Sequence, residues 1–271
     1  MIEFQNVTRS FGRKVAVNGL TLAVDPGELF ALLGPNGAGK TTTIKMLTGL
    51  LRPSSGSVSV CGCDLVKDQR DATRAIGYVP EEPFLYDKLS GREFLEFAGQ
   101  MRGLDGPKLR ECIARESDFF EMDDFLDDLA ETYSHGMRQR LVFASALLHD
   151  PPVLVIDEPM IGLDPRSVRE VKDRLRTQAN SGTIVFMSTH TLAIAEEIAD
   201  RIGIMDHGRL RFLGTQHELR DAVKSSHTSL EGLFLEMTNG HAAKGEAGAE
   251  QEARSESNRS ADRSPPVAND P

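Results

Sequence analysis

The sequence predicts an α/β fold in which a mainly parallel sheet is flanked by helices. The apolar runs Val153–Ile156 and Thr183–Met187 are short and unbroken, which is typical of strands buried on both faces. Polar side chains follow both runs directly, beginning with Asp157 and Ser188. Because ligands bind at the carboxyl ends of strands in open α/β sheets, these polar residues indicate a binding site there.

The glycine-rich stretch Gly34–Thr42 fills every fixed position of a phosphate-binding loop, G-x-x-x-x-G-K-[ST]. Its glycines let the backbone turn its amides towards a polyphosphate, Lys40 supplies a charge for the terminal phosphates, and the Thr41 hydroxyl can ligate Mg²⁺. The apolar run Glu28–Leu33 before it and the helical pattern Thr42–Leu50 after it favour this reading over a simple glycine-rich turn. The predicted phosphate-contacting residues are Gly34, Pro35, Asn36, Gly37, Ala38, Gly39, Lys40, Thr41 and Thr42.

The first part of the chain is rich in predicted strands. Ile2–Val7 and Leu20–Val24 alternate between apolar and polar residues, with a turn-like stretch at Phe11–Lys14 between them. Ser57–Val60 and Ala75–Val79 are further short strands. We therefore expect β structure on both sides of the phosphate loop.

The pattern becomes helical from Pro83 to about Leu148, with a break at Gly103–Pro107. Within this block, Phe119–Leu129 is acidic but keeps its apolar residues at helical spacing, so we expect a solvated helical face rather than a metal site. A helical block between strands predicts a subdomain, at about residues 84–150, inserted in the α/β core.

Beyond this block the pattern alternates again. We expect crossover helices at 165–179 and 191–200, a hairpin over Arg201–Phe212, and helices near 216–223 and 230–237. In the tail that follows, Val267 is the only aliphatic residue larger than alanine. We therefore predict one domain over residues 1–237 and a disordered tail over 238–271, which cannot bury enough apolar surface to fold.

Composition excludes some classes of function. The chain is 39% apolar and 27% charged, and its net charge of −10 argues against broad, sequence-independent nucleic-acid binding. No apolar run approaches the ~20 residues of a membrane span, and Met1–Phe4 shows no secretory signal, so we expect a cytosolic chain. The three cysteines lack metal spacing, although Cys61 and Cys63 leave open a site completed by other ligands.

Two adjacent carboxylates follow the strand at Val153–Ile156. Asp157 stands where a magnesium-shell carboxylate is expected, and Glu158 is placed to orient and deprotonate an attacking water. At a strand end the chain can turn both side chains towards one site. The alternative is that Asp-Glu-Pro only caps a helix.

A second anion-binding element is predicted at Ser134–Gly136. Ser134 has the character of a helix N-cap, and Gly136 allows close approach of another backbone. Taken alone, this stretch is equally consistent with an ordinary capped helix.

In chain order, these motifs resemble those of the nucleotide-binding subunit of an ATP-binding cassette (ABC) transporter, over residues 1 to about 237. The resemblance implies a P-loop NTPase core, mainly a parallel sheet flanked by helices, with an antiparallel β edge subdomain and an inserted helical subdomain. It implies that Phe11 stacks on adenine, that Gly34–Thr41 is the Walker A loop, and that Val153–Asp157 is Walker B. The remaining positions are Glu81 in the Q-loop, Ser134 and Gly136 in the signature, Glu158 as the catalytic carboxylate, Gly162 and Asp164 in the D-loop, and His190 as the switch histidine.

Two motifs depart from the family pattern. Glu81 stands where the family usually has glutamine, and we expect it to reach Mg²⁺ directly or through water. Tyr133, His135 and Met137 replace three of the five usual signature residues, while Ser134 and Gly136 remain. Together with the stretch Leu230–Leu235, these departures resemble drug-resistance and ABC-2-type exporters.

The resemblance also implies the partners. One copy of each motif cannot complete a composite ATP site, so we expect a second copy of this chain to join on ATP and Mg²⁺. We further expect a separately encoded membrane permease, with this chain peripheral on the cytoplasmic face of the membrane, and no nucleic-acid partner.

The sequence argues against three rival functions. A soluble ABC ATPase acting on ribosomes or nucleic acid usually has two cassettes or a coiled-coil insertion, and neither is visible. A P-loop GTPase would need an Asn-Lys-x-Asp motif, which does not occur. A purely regulatory ATP-binding module is disfavoured because Glu158 and His190 are intact.

Overall fold

The strands form two sheets. The computed structural model describes residues 1–160 and 163–226, and residues 1–222 pack into one compact unit. The strands are β1 Ile2–Phe11, β2 Lys14–Val24, β3 Leu29–Leu33, β4 Ser55–Val60, β5 Cys63–Asp64, β6 Ile76–Val79, β7 Val153–Asp157, β8 Ile184–Thr189, β9 Arg201–Asp206 and β10 Arg209–Thr215.

The larger sheet has six strands in the order β10-β9-β3-β8-β7-β6. All neighbours in it are parallel except β9 and β10, which form an antiparallel hairpin. The smaller sheet is antiparallel and has the order β2-β1-β4-β5. The prediction of a mainly parallel core with an antiparallel β edge is therefore confirmed.

Helices connect the strands of the larger sheet and cover its faces. They are α1 Lys40–Leu47, α2 Gln69–Arg74, α3 Gly91–Met101, α4 Gly106–Phe119, α5 His135–Leu147, α6 Pro165–Asn180, α7 Leu192–Ile198 and α8 Gln216–Ser226, with a 3₁₀ turn at Ala130–Thr132. Helices α3 to α5 lie between β6 and β7 in the sequence, as the helical block predicted. In the part of the chain that the structure describes, no helix is both long and apolar enough to cross a bilayer.

Three aromatic rings in tilted contact join the two sheets in the core. The ring centres of Phe30 on β3 and Phe186 on β8 are 5.2 Å apart, and Phe186 lies 6.2 Å from Phe4 on β1. All three side chains are buried. Burying each ring contributes about 1.5–3 kcal/mol, so these contacts fix the smaller sheet against the strands that present the site.

The predicted helix over Phe119–Leu129 is wrong. Helix α4 ends at Phe119 and closes in a Schellman motif, in which Met122 N–H donates to the Ser117 carbonyl and Glu121 N–H donates to the Asp118 carbonyl. Glu121 has φ of 49°, the left-handed conformation that ends helices and that glycine usually provides. Met122, the first residue beyond that cap, is buried. The apolar residues therefore keep a helical spacing in the sequence although the helix has ended.

Other predicted boundaries shift by a few residues. Phe11 ends strand β1 instead of lying in a turn, and α1 begins at Lys40 inside the phosphate loop. The helix predicted near 230–237, the stretch Leu230–Leu235, the tail 238–271 and Gly162 lie outside the described residues. The domain limits 1–237 and 84–150 stay predictions.

Candidate active site

A cavity of about 420 Å³ opens where the amino terminus of α1 meets the carboxyl ends of β7 and β8. Most of the predicted site residues line it, and two others come from strand β2. The lining residues are Phe11, Lys14, Ala16, Asn36, Gly37, Gly39, Lys40, Thr41, Thr42, Glu81, Glu158 and His190.

The phosphate loop is held in place by close backbone packing. A Cβ atom at Gly34 would lie 2.3 Å from the Met205 carbonyl oxygen, and one at Gly39 would lie 2.5 Å from the Ala16 carbonyl oxygen. Gly39 also has φ of 112°, which side-chain-bearing residues rarely adopt. Ala38 is buried behind the loop, and its carbonyl accepts a hydrogen bond from Gly208 N–H at 2.8 Å. Glycine at 34 and 39 therefore seats the loop against β9 and β2.

Lys40 brings its charge to the centre of the cavity. Its side chain is buried, and Nζ donates to the Gly34 carbonyl at 2.8 Å and to the Pro35 carbonyl at 3.3 Å. The same nitrogen lies 3.5 Å from Glu158 Oε1. The carbonyl groups of the loop therefore hold the Lys40 ammonium, and its charge lies next to the Glu158 carboxylate.

Glu158 has an unusual backbone conformation. Its φ is 51°, in the left-handed region, and its N–H donates to Ser188 Oγ at 3.2 Å. Its Oε2 accepts a hydrogen bond from His190 N–H at 3.3 Å and lies 3.0 Å from His190 Nδ1. The left-handed turn brings consecutive carboxylates to one end of the sheet, where alternation along a regular strand would have separated them.

Asp157 lies deeper than Glu158. Burial raises the pKa of the Asp157 carboxyl above its ordinary value, and the charge of Glu158 adds to this; the Ser188 and Thr41 hydroxyls and Lys40 act in the opposite direction. The Ser188 hydroxyl donates to Asp157 Oδ1. A buried carboxylate beside a threonine hydroxyl is a hard oxygen pair of the kind that Mg²⁺ prefers, so the residues present fit that ion.

Glu81 lies at the rim of this acidic region, two residues after β6. Burial raises the pKa of Tyr78, on β6, to about 12, and the charges of Asp157 and Glu81 contribute to the shift. Tyr78 was not singled out in the sequence. It is a polar residue near the carboxyl end of a strand, which is the signal that could have found it. Ser188 was expected at this end of the sheet, but its hydrogen bond to Asp157 was not.

Seven of the predicted site residues that the structure describes do not line the cavity. Gly34, Pro35, Ala38 and Asp157 belong to the phosphate loop and to the end of β7, and the other three lie at the starts of α5 and α6. Ser134 caps α5, with its hydroxyl accepting from Met137 N–H at 3.3 Å, and Gly136 has no neighbouring atom within 4 Å of a Cβ position. Asp164 caps α6, and hydrogen bonds from the hydroxyl and N–H of Ser167 lower the pKa of its carboxyl. Within one chain Ser134 and Asp164 therefore act as helix caps, while Gly136 lies in the first turn of α5.

Comparison with known proteins identifies the family. Residues 17–161 match the family described as ABC transporter. The ABC transporter ATP-binding protein YhcH of Bacillus subtilis is 41% identical over 212 residues, covering 78% of this chain and 68% of that protein. The Nod factor export ATP-binding protein I of Burkholderia orbicola is 38% identical over 218 residues, covering 80% of this chain and 72% of that protein.

A solved structure of the ATP-binding subunit of an ABC transporter has the same fold. It is 32% identical, with a TM-score of 0.81, and the match covers 88% of this chain and 99% of the other. The chain therefore belongs to the ABC transporter family, as one of its ATP-binding proteins with ATPase function.

Proposed function

We propose that this chain hydrolyses ATP in the cavity at α1 and that the cycle drives a separately encoded membrane permease. The observation that supports this most directly is the convergence of Lys40, Glu158 and His190. Glu158, just beyond β7, lies 3.5 Å from Lys40 Nζ and 3.0 Å from His190 Nδ1. One site therefore holds a cation that can bind phosphate (Lys40), a base that can activate water (Glu158) and a histidine in contact with that base (His190).

Each group has a distinct task in this proposal. Lys40 and the amides at the start of α1 hold the phosphates, and Phe11 stacks on the adenine. Glu158 orients the attacking water and accepts its proton, while His190 fixes the carboxylate and contacts the γ-phosphate. These roles require Glu158 to leave Lys40 when the phosphates bind, since both anions compete for the same ammonium.

Thr41, Asp157 and Glu81 are the residues that would hold Mg²⁺. Bound there, the ion would neutralise charge on the β- and γ-phosphate oxygens. No group of three or more His, Cys, Asp or Glu side chains forms a metal cluster within residues 1–160 and 163–226. The ion would therefore depend on phosphate oxygens as well, which suits a metal that binds with its nucleotide.

The assignment of Glu81 has its own test. Replacing it with glutamine keeps the oxygen and removes the charge, so we expect Glu81→Gln to shift the Mg²⁺ concentration needed for half-maximal ATPase activity. Unaltered Mg²⁺ dependence and turnover would remove Glu81 from the metal shell.

We infer that two copies of the chain form the complete site. Ser134, Gly136 and Asp164 lie outside the cavity of their own chain, and the capped start of α5 presents N–H groups suited to an anion. A second copy would place Ser134, Gly136 and the start of α5 over the γ-phosphate, while Asp164 would couple the two sites.

The test is light scattering of Glu158→Gln with ATP and Mg²⁺, where slow hydrolysis should hold the dimer. Lys40→Ala is the matched control, which should stay monomeric because it cannot hold the phosphates. A monomeric Glu158→Gln protein at saturating ATP would contradict the composite site.

The permease is proposed to dock on an exposed apolar patch formed by Phe84, Tyr86, Phe97 and Met101, which we call the aromatic surface. Their exposed fractions are 76%, 49%, 44% and 73%. Ring centres of Phe84 and Tyr86 are 5.9 Å apart, and those of Tyr86 and Phe97 are 5.8 Å apart. Apolar patches of this kind mark protein contacts. The patch begins three residues after Glu81, so a partner there would lie close to the nucleotide.

Co-purification tests both the surface and the partner. We expect the double variant Phe84→Ser, Tyr86→Ser to lose its association with membranes that contain the permease. Leu213 is an exposed apolar residue on β10, so Leu213→Ser is the control and should stay associated. Recovery with ribosomes or nucleic acid instead would favour the soluble ABC ATPase. The relative from Burkholderia orbicola is named for export, so we propose export as the direction of transport. On this proposal the chain lies at the cytoplasmic face of the membrane.

A further inference from the structure

One face of Phe11 is already covered within the chain. The guanidinium carbon of Arg9 lies 4.5 Å from the centre of the Phe11 ring, over its face. Phe11 itself is 48% exposed at the cavity. The ring is therefore a platform with a cation on one side and open space on the other.

The backbone of β1 produces this arrangement. Arg9 and Phe11 are two residues apart on one strand, so their side chains leave the same face of the sheet. Arg9 pairs with Val17 and Ser10 pairs with Val15, which leaves Ala16 as an extra residue on β2. The irregularity falls on the partner strand, and the alternation along β1 is preserved.

The guanidinium is anchored by the main chain. Arg9 Nη1 donates to the Arg52 carbonyl at 3.0 Å, and Arg9 Nε is buried without a hydrogen-bond partner in the described residues. In that same part of the chain, no carboxylate lies within ion-pair distance of Arg9. Its charge is thus directed at the ring instead of being neutralised by an acidic side chain.

We propose that Arg9 is a positioning residue for the base of ATP, holding Phe11 so that its open face receives adenine. This inference rests on the proposed role of Phe11 as the adenine contact. A cation over an aromatic face is attracted to the ring, and a ring held in one rotamer loses less freedom when a base stacks on it. Arg9, Phe11 and adenine would then form a three-layer stack, with Arg9 touching only the ring.

The experiment measures the affinity of ATP and of inorganic tripolyphosphate, which has no base, for four proteins: unmodified chain, Arg9→Ala, Phe11→Ala and the double variant. We expect Arg9→Ala to weaken ATP binding about two- to fivefold, the range for an exposed cation–π contact. Tripolyphosphate affinity should not change. In the Phe11→Ala background, Arg9→Ala should have no further effect on ATP.

Two controls separate this role from charge and folding. Arg13→Ala removes an exposed positive charge two residues after Phe11 and should leave the ratio of ATP to tripolyphosphate affinity unchanged. Arg9→Gln keeps an N–H donor for the Arg52 carbonyl, and it should show the same loss if Arg9→Ala proves unstable.

The outcomes distinguish the inference from the proposed function. If Phe11→Ala leaves ATP affinity intact, Phe11 does not contact adenine and the proposed role of that residue fails. If Phe11→Ala weakens ATP binding but neither Arg9 variant does, the positioning role of Arg9 fails. Equal losses for ATP and tripolyphosphate, or a loss that persists without the Phe11 ring, would also overturn it.

Discussion

Removing the buried carboxylate of Glu116 is expected to destabilise the contact between α4 and α6 strongly. Glu116 lies on α4 with no exposed surface, and Arg174 lies on α6 with 13% of its side chain exposed. Arg174 Nη2 donates to Glu116 Oε2 at 3.0 Å and to Oε1 at 3.2 Å, and Arg115 Nε donates to Oε1 at 2.9 Å. Arg174 also lies over the Phe119 ring, 4.1 Å from its centre.

The expected magnitude follows from what each substitution leaves behind. Glu116→Ala leaves the Arg174 guanidinium buried without its anion, and breaking a buried pair in this way costs about 3–5 kcal/mol of unfolding free energy. Glu116→Gln retains an oxygen acceptor and loses only the charge, so we expect about 1.5–3 kcal/mol. For a domain of this size, about 2–4 °C per kcal/mol gives a fall in melting temperature of about 6–20 °C for Glu116→Ala.

Urea unfolding followed by circular dichroism measures the effect. The midpoint should fall while the slope stays constant, because the fold and its buried area are unchanged. Glu121→Gln is the matched control: Glu121 is 59% exposed and pairs with Arg166 on the same helix α6, so its loss should cost under about 1 kcal/mol. An unfolding free energy of Glu116→Ala within about 0.5 kcal/mol of that of the unmodified chain, which is the error of such a measurement, would refute the reasoning.

Three further predictions concern packing, pH and chemistry. Gly77→Ala would place a Cβ 2.3 Å from the Ala146 carbonyl oxygen, so unfolding in urea should show a loss of about 1–3 kcal/mol, and an unchanged midpoint would contradict the packing of β6 on α5. Burial, helped by the Arg102 charge, lowers the pKa of His149 to about 4 from 6.5. The unfolded chain therefore takes up this proton first as pH falls, and stability should decline between pH 6.5 and pH 4; His149→Gln should flatten that part of a pH–stability curve, and an identical slope would argue against it. Glu158→Gln should lower the ATPase kcat by about 10²–10⁴-fold while ATP affinity, measured by calorimetry, is kept; near-normal turnover would exclude Glu158 as the base.

Features encoded by neighbouring residues could be predicted from the sequence. The phosphate loop, the apolar runs that became β7 and β8, and the polar residues after them are local patterns, and the α/β fold follows from them. Phe11 and Glu81 were also expected at the site, and both line the cavity, although their roles stay predictions.

Features that depend on tertiary contacts could not be predicted. Lys14 and Ala16 reach the cavity only because β2 packs against the phosphate loop, and nothing in their own sequence marks them. The helix end at Glu121 was missed because a glutamate occupies the left-handed position where glycine is the usual signal. Ser188 acquires its contacts with Asp157 Oδ1 and the Glu158 N–H through the pairing of β7 with β8.

The left-handed backbone at Glu158 has an evolutionary consequence. Holding a glutamate in this conformation costs about 1–3 kcal/mol, and glycine or asparagine would adopt the same turn with less strain. Neither substitute would bring a carboxylate to the phosphate loop. Selection for thermal stability alone would therefore favour replacing Glu158, and ATPase activity would be lost. Retention of Glu158 in a lineage thus indicates selection for ATP turnover.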